Sequence, residues 1–313
     1  MTKVFIDGKE GTTGLKIFER FADRKDLEVL LIDDNKRKDI NERKRLINES
    51  DFTFLCLPDA AAREAVSLVE NPNTKIIDAS TAHRTNSDWT YGFPELSKEQ
   101  REKIRSSKRV AVPGCYASGF ISCVYPLVEA GIIPKDYPVI SHAVSGYSGG
   151  GKSMIAQIEG DKSFECYSPR QYALSQNHKH LPEMQKICGL EYEPMFNPIV
   201  DDYFCGMVVS VPIITRTLPK KVTLEDVHKV LSEKYEGQHF VKVVELGAQE
   251  TLPDGFLAAN TLADTNKMEI FVCGNDERIL VASRLDNLGK GASGAAVQNL
   301  NIMLGIDEAT GLE

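Results

Sequence analysis

The sequence predicts an α/β chain in two parts, a parallel sheet covered on both faces by helices and then an α+β segment with a mixed or antiparallel sheet. From Lys3 to Val112 short apolar runs alternate with stretches of helical period, the pattern of a buried parallel sheet. From about Tyr137 strand-like runs cluster with few helices between them. A length of 313 residues, 42% hydrophobic and 26% charged, is enough for two cores without disulfide or metal support.

Lys3 to Asp7 reads as a strand ending at Gly8, and Leu15, Phe18 and Phe21 then recur at helical spacing. Leu27 to Ile32 and Phe52 to Leu57 are the next strands, the latter closed by Pro58. Ala60 to Val69 is an alanine-rich helix stopped by Asn71-Pro72. Lys75 to Ala79 and Val110 to Val112 complete the first sheet. Beyond Tyr137 the strand-like runs are 139–144, 207–214, 240–246, 268–273 and 278–285, with a helix at 222–234. Gly291 to Leu304 is helical again and is expected to return to the first domain. The expected division is therefore 1–136 with 287–313 as a Rossmann-like parallel-sheet domain, and 137–286 as the α+β domain.

The bulk chemistry removes several function classes. A net charge of −8 without a long basic stripe argues against a nucleic-acid partner. The longest apolar stretches are strand-length, so no membrane span is expected. MTKVFIDG enters a strand pattern at once, without the basic start, apolar run and cleavage site of a signal peptide, which points to the cytoplasm. Seven cysteines, an odd number with no C-x-x-C, suggest reduced thiols rather than a disulfide framework or zinc ribbon.

Gly8-Lys9-Glu10-Gly11-Thr12-Thr13-Gly14 is a glycine-rich turn between the first strand and first helix, where backbone N–H groups can meet a pyrophosphate. At the end of the second strand, Asp33-Asp34 suits a ribose hydroxyl, whereas the adjoining Lys36, Arg37 and Lys38 suit a 2′-phosphate; spacing alone leaves NAD and NADP open. Cys115 follows Pro113-Gly114 and opens a helical run, the setting in which the dipole and unpaired N–H groups favour a thiolate. Cys56 and Cys273 lie in strand runs, and Cys123 lies eight residues beyond Cys115 on about the same helix face. Histidine is the side chain that exchanges protons near neutrality, and His178 and His180 stand just before a Pro-started helix. As a metal motif this H-x-H lacks a carboxylate or cysteine at ligand spacing, so no metal is expected. Ser145 to Lys152 is a glycine loop suited to a phosphate or carboxylate, but without P-loop spacing.

With these residues in place, the chain resembles the N-acetyl-γ-glutamyl-phosphate reductases in their shorter form, a branch of the semialdehyde dehydrogenases. The resemblance runs through VFIDGKEGTTG, DASTAHR (78–84), YGFPEL, VPGCYASG (112–119), SGYSGGGK, HKHLPEM and DNLGKGASGAAVQNLN (286–301). Cysteine after Pro-Gly and before an aromatic is its specific part; aspartate-semialdehyde dehydrogenases place the nucleophile after Gly-Asn. One departure is Ser118, where longer enzymes commonly have threonine, and the hydroxyl is kept.

The resemblance implies NADPH-dependent reduction of an acyl phosphate to an aldehyde through a cysteine thioester, in arginine biosynthesis. It implies Cys115 as nucleophile and an acid/base histidine within His178–His180, with His180 favoured. Gly8, Gly11, Thr12, Thr13, Gly14, Lys36, Arg37 and Asn287 would hold NADPH, and Arg84, Ser145, Gly149 and Gly150 the small-molecule acyl phosphate. In this resemblance 1–136 with 287–313 is the NADP-binding domain and 137–286 the catalytic, substrate and oligomerisation domain, and a homo-oligomer, dimer or tetramer, is expected. The rivals are a relative acting on aspartyl or aminoadipyl phosphate, and a non-catalytic nucleotide-binding regulator.

Overall fold

The computed structural model describes residues 1–313, apart from the side chains of Gln249 and Thr251. The chain divides into two compact units, Met1–Gly114 with Ala292–Glu313, and Cys115–Gly291.

The first unit runs β1 (Thr2–Asp7), α1 (Thr12–Arg20), β2 (Leu27–Leu30), α2 (Ile40–Glu49), β3 (Phe52–Leu55), α3 (Asp59–Ser67), β4 (Lys75–Asp78), β5 (Thr90–Tyr91), α4 (Lys98–Ser106) and β6 (Arg109–Ala111). Its six strands are all parallel in the order β2-β1-β3-β4-β6-β5. Central strands such as β3 are buried throughout, as required of a sheet covered on both faces. The order reverses at β1 and β3, and ligands of such sheets bind beyond the carboxyl ends of the strands at that point.

The second unit begins with α5 (Cys115–Glu129) and continues with β7 (Ile140–Gly146), α6 (Gly151–Glu159), β8 (Arg170–Gln171), α7 (Leu181–Cys188), β9 (Met195–Asp201), β10 (Met207–Ile214), α8 (Leu224–Tyr235), β11 (Val241–Val243), β12 (Met268–Asn275) and β13 (Arg278–Leu285). Its sheet is mixed, in the order β11-β12-β13-β10-β7-β9-β8, with β7–β9 and β11–β12 parallel and the other pairs antiparallel. Helices α5 and α8 cover one face. On the other face Val144, Ile199 and Val208 adjoin through strand register, as do Pro212 and Leu280, all partly or fully exposed. The row His142, Ser210 and Asn197 separates the two groups, so the solvated sheet surface is apolar in patches.

After a π-helical turn at Gly289–Ser293 the chain forms α9 (Gly294–Leu304), which packs on α4, α1 and β4 in the first unit. The division expected near residue 136 falls instead at Gly114, because α5 packs on β10, β13, α7 and α8 and so belongs with the second sheet. The division expected at 287 falls after Gly291. Among the described residues no helix is long and apolar enough to cross a membrane.

Candidate active site

In the first unit, Gly8 ends β1 with φ +89°, and a Cβ there would stand 2.3 Å from the Cys56 carbonyl oxygen beyond β3. A Cβ on Gly14 would meet the Gly8 oxygen at 2.4 Å. Only glycine fits either place, so backbone rather than side chain faces the crevice between β1 and β3. Gly11 donates its N–H to Gly8 at 3.0 Å and caps α1, whose first residues are Thr12 and Thr13. First-turn N–H groups of a helix have no partner within it and suit an anion.

Next to this turn lies a cavity of about 530 Å³ whose lining includes Gly8, Asp34, Arg37 and Lys38. Asp33 caps the 3-10 turn Asp34–Lys36, its carboxylate accepting from Asn35 N–H at 2.9 Å. Of the two acids that suited a ribose hydroxyl, Asp33 is engaged locally and Asp34 lines the cavity, to which Arg37 and Lys38 supply cations. Lys36 lies within the turn itself, and Lys38 takes the lining place the sequence assigned to it. These residues fit a dinucleotide with a phosphorylated ribose. At the cavity wall Arg43 on α2 bonds Asp7 (2.9 Å) and Glu64 (2.7 Å), a network the sequence reading missed because α2 has too few apolar residues to show as a helix.

The 79–84 loop follows β4. Arg84 is buried, donating from Nε to the Val112 carbonyl (2.8 Å) and from a terminal nitrogen to that of Ala79 (3.1 Å). Part of the guanidinium that was expected to bind substrate therefore braces backbone.

In the second unit Cys115 is the first residue of α5 and half-buried. Burial pushes the thiols of Cys123 and Cys205 up to about 12, which disfavours their reactive thiolate form. Gly291 presses on Cys115, since a Cβ there would stand 2.7 Å from the cysteine Cβ. Tyr116 is buried among aromatic neighbours, its ring centroid 6.0 Å from His180, 6.2 Å from His178 and 5.2 Å from Phe196. His180 sits at the N-cap of α7 and is buried. Its backbone N–H donates to His178 Nδ1 at 3.2 Å, which leaves the Nε2 of a neutral His178 as the protonated nitrogen. The two imidazoles lie 4.8 Å apart at right angles.

Tyr172 joins them at 5.9 Å from His178, and the sequence carried no signal for it. Burial pushes its hydroxyl up, and negative charge on Cys115 adds to the effect. Cys115 thus immediately precedes Tyr116, whose ring clusters with Tyr172, His178 and His180 in the second unit.

Ser145 is buried at the end of β7 and donates to the Gly146 carbonyl at 3.1 Å. Gly149 and Gly150 are exposed in the turn before α6, and a Cβ on Gly150 would strike Met154 at 2.5 Å. Asn287 accepts from Gly206 N–H (2.8 Å) and donates to Ser148 Oγ (2.9 Å), so both ends of its amide buckle two loops of the second unit together. Asp286 approaches Cys205 and Asp264 at possible metal-ligand spacing, but its oxygens already accept from the N–H groups of Asp264, Leu288 and Gly289.

A parallel-sheet unit with a glycine-walled nucleotide cavity, followed by a unit with a helix-opening cysteine among histidines, defines the class of dinucleotide-linked dehydrogenases that work through a thiol. The chain belongs to the semialdehyde dehydrogenase family. The family's NAD-binding domain matches residues 3–104 and its dimerisation domain residues 115–287, which makes the latter an oligomerisation unit. The chain is 48% identical over 318 residues to N-acetyl-gamma-glutamyl-phosphate reductase 2 of Nostoc sp., covering 99% of each chain. It is 45% identical over 310 residues to N-acetyl-gamma-glutamyl-phosphate reductase of Burkholderia ambifaria, covering 98% of this chain and 97% of that one. Among solved structures it resembles aspartate semialdehyde dehydrogenase from Francisella tularensis, with TM-score 0.72 at 17% identity over 97% of this chain and 100% of that one. Aspartate semialdehyde dehydrogenase II of Vibrio cholerae, complexed with ASA, gives 0.71 at 15%, over 97% of this chain and 98% of the other. These structures share the fold.

Proposed function

We propose that the chain reduces N-acetyl-L-glutamyl 5-phosphate to N-acetyl-L-glutamate 5-semialdehyde and phosphate with NADPH, in the cytoplasm and toward arginine. The observation that carries this reading is identity of 45–48% over nearly the whole length to relatives bearing that reductase's name.

In this reading the dipole and N–H groups at the start of α5 favour the Cys115 thiolate. Its sulfur attacks the acyl carbon, the bond to the phosphate oxygen breaks, phosphate leaves, and a thioester forms on Cys115. When bound, NADPH would be held by the Gly8–Gly14 turn with Arg37 and Lys38 and would supply the hydride that reduces this thioester. First-turn N–H groups of α5 stabilise the charge developing on the former carbonyl oxygen. His180 gives that oxygen a proton and takes it back as the C–S bond breaks, releasing aldehyde and thiolate. The bond from the His180 backbone N–H fixes the His178 ring beside the imidazole that moves the proton. Arg84, Ser145 and the Gly149–Gly150 turn serve the anionic groups of the substrate. A second copy of the chain covers the apolar face formed by Val144, Ile199, Val208, Pro212 and Leu280, making a homodimer that can build a tetramer.

The test runs the reaction backward, with N-acetylglutamate semialdehyde, phosphate and NADP⁺. Turnover at least about a hundredfold faster than with aspartate or aminoadipate semialdehyde, lost in Cys115→Ser, is the expected result. Preference for another semialdehyde overturns the substrate assignment, and full turnover by Cys115→Ser overturns the thioester.

A further inference from the structure

Asp78 closes β4 at the ligand-binding edge of the first sheet and is completely buried. A buried carboxylate is costly unless hydrogen bonds replace its water. Three do so here: Ser80 donates from its backbone N–H (2.9 Å) and its hydroxyl (2.8 Å), and His83 donates from Nδ1 (2.6 Å). The His83 ring is itself buried and lies flat on the Trp89 indole, with centroids 4.1 Å apart and planes within 11°. The reaction outlined above uses neither Asp78 nor His83. Histidine has no need of such a carboxylate merely to fill space, because an apolar ring would stack on Trp89 without drawing a charge into the core.

What the pair controls is the residue that follows. Arg84 turns back from the end of this loop to the carbonyls of Ala79 and Val112. Val112 is the last residue before Pro113-Gly114, and Cys115 comes next in the chain. The loop is held at its other side by Asp59, which accepts from Thr81 N–H (3.0 Å) and its hydroxyl (2.5 Å). The loop is therefore fixed at Ser80, Thr81, His83 and Arg84 in succession, and its outgoing end grips the strand end that delivers Cys115.

We propose that Asp78 and His83 form a positioning pair: by fixing His83 they set the backbone of Arg84, and Arg84 sets the Pro-Gly turn that presents the Cys115 sulfur. Neither residue touches the reacting atoms. The kinetic consequence rests on the reductase reading; the consequence for thiol reactivity does not.

The experiment compares His83→Phe, which keeps the ring on Trp89 but loses the bond to Asp78, with His83→Asn, whose side-chain N–H can restore that bond. Steady-state kinetics, the iodoacetamide labelling rate of the Cys115 peptide by mass spectrometry, and thermal melting are measured on the full chain. His83→Phe is expected to lower kcat about tenfold or more with KM for NADPH changed less than about twofold, and to slow Cys115 labelling in step. His83→Asn is expected to bring both rates back to within about threefold of the parent chain. Parental rates in His83→Phe, even with a lowered melting temperature, overturn the proposal and leave a structural role. Failure of His83→Asn to restore the rates overturns it as well, because the bond to Asp78 is then not the cause. Should His83→Phe not fold, Ser80→Ala removes one of the three bonds and carries the test, with a severalfold fall in both rates expected and no fall overturning the pair. If the parent chain shows no reductase turnover, the labelling rates alone decide, separating this inference from the functional reading.

Discussion

Replacing Gly291 by alanine puts a methyl carbon 2.7 Å from Cys115 Cβ, 3.1 Å from its Cα and 3.0 Å from the Asp286 carbonyl oxygen. Carbon atoms pack at about 3.5–4.0 Å, so the new contact with Cβ is short by roughly 1 Å. Gly291 is not left-handed, so the effect is steric rather than conformational. Cys115 cannot retreat, because the helix behind it is buried from Tyr116 to Val124 and packed on β10 and β13. The π-helical turn cannot move freely either, with Asp286 accepting from Leu288 and Gly289. Overpacking of this kind costs about 1–3 kcal/mol, and a displacement near 1 Å at a reacting atom costs about a hundredfold in rate. We expect kcat/KM to fall between about ten- and a hundredfold, or about 1.4–2.7 kcal/mol in the barrier, with a changed labelling rate at Cys115. Gly305→Ala is the control: its φ is +73° with nothing within 4 Å, so it strains the backbone and lowers melting temperature without altering kcat. Parental kcat/KM and labelling in Gly291→Ala would refute the claim that this glycine seats the sulfur.

Three further outcomes are expected. Arg37→Ala and Lys38→Ala should each raise KM for NADPH at least about tenfold while leaving KM for NADH nearly unchanged, measured side by side, since only the phosphorylated ribose calls on these cations. Val144→Glu, which sets a charge into the apolar sheet face, should shift the oligomer to monomer in sedimentation velocity with little change in melting of the monomer. The Arg24 guanidinium beside Asp26 holds its carboxyl below the usual carboxylate range. Its contribution is present above about pH 4 and disappears as pH falls through the lowered value. Arg24 also bonds Asn301 (2.9 Å) and the Thr310 carbonyl (3.3 Å), so acid should loosen the C-terminal segment. In melts between pH 3 and 7, Asp26→Asn should lose that acid-dependent increment.

Much of the architecture is legible in the chain where burial has a short period. The strands 207–214 and 278–285 were read with the bounds the structure gives: the first alternates in burial, with one face under helices, and the second is a short, mostly apolar run buried throughout from Val281 to Leu285. Helix α4 escaped the reading because it buries one residue, Ile104, and its other positions carry charge or polarity. Strand β9 escaped because Asn197 and Pro198 interrupt it, a proline tolerated there since the neighbouring strand β8 pairs over only two residues. Helix α5 has its first eleven residues almost wholly buried, and nothing in such a run says which sheet it serves; contact with β10 and β13 decides that.

The sequence by itself determined the parallel-then-mixed order of sheets, the glycine turn, the helix-opening thiol and the histidine pair, because each depends on residues adjacent in the chain: backbone freedom at glycine, a dipole at a helix start, a proline opening a helix. Only tertiary structure decided that Tyr172 stands with His178 and Tyr116, that Lys38 rather than Lys36 faces the nucleotide cavity, that Asn287 buckles Gly206 to Ser148, and that Arg84 grips Val112. Those depend on which buried polar groups find one another when water is excluded, and a hydrogen bond between residues far apart in the chain leaves no period to read.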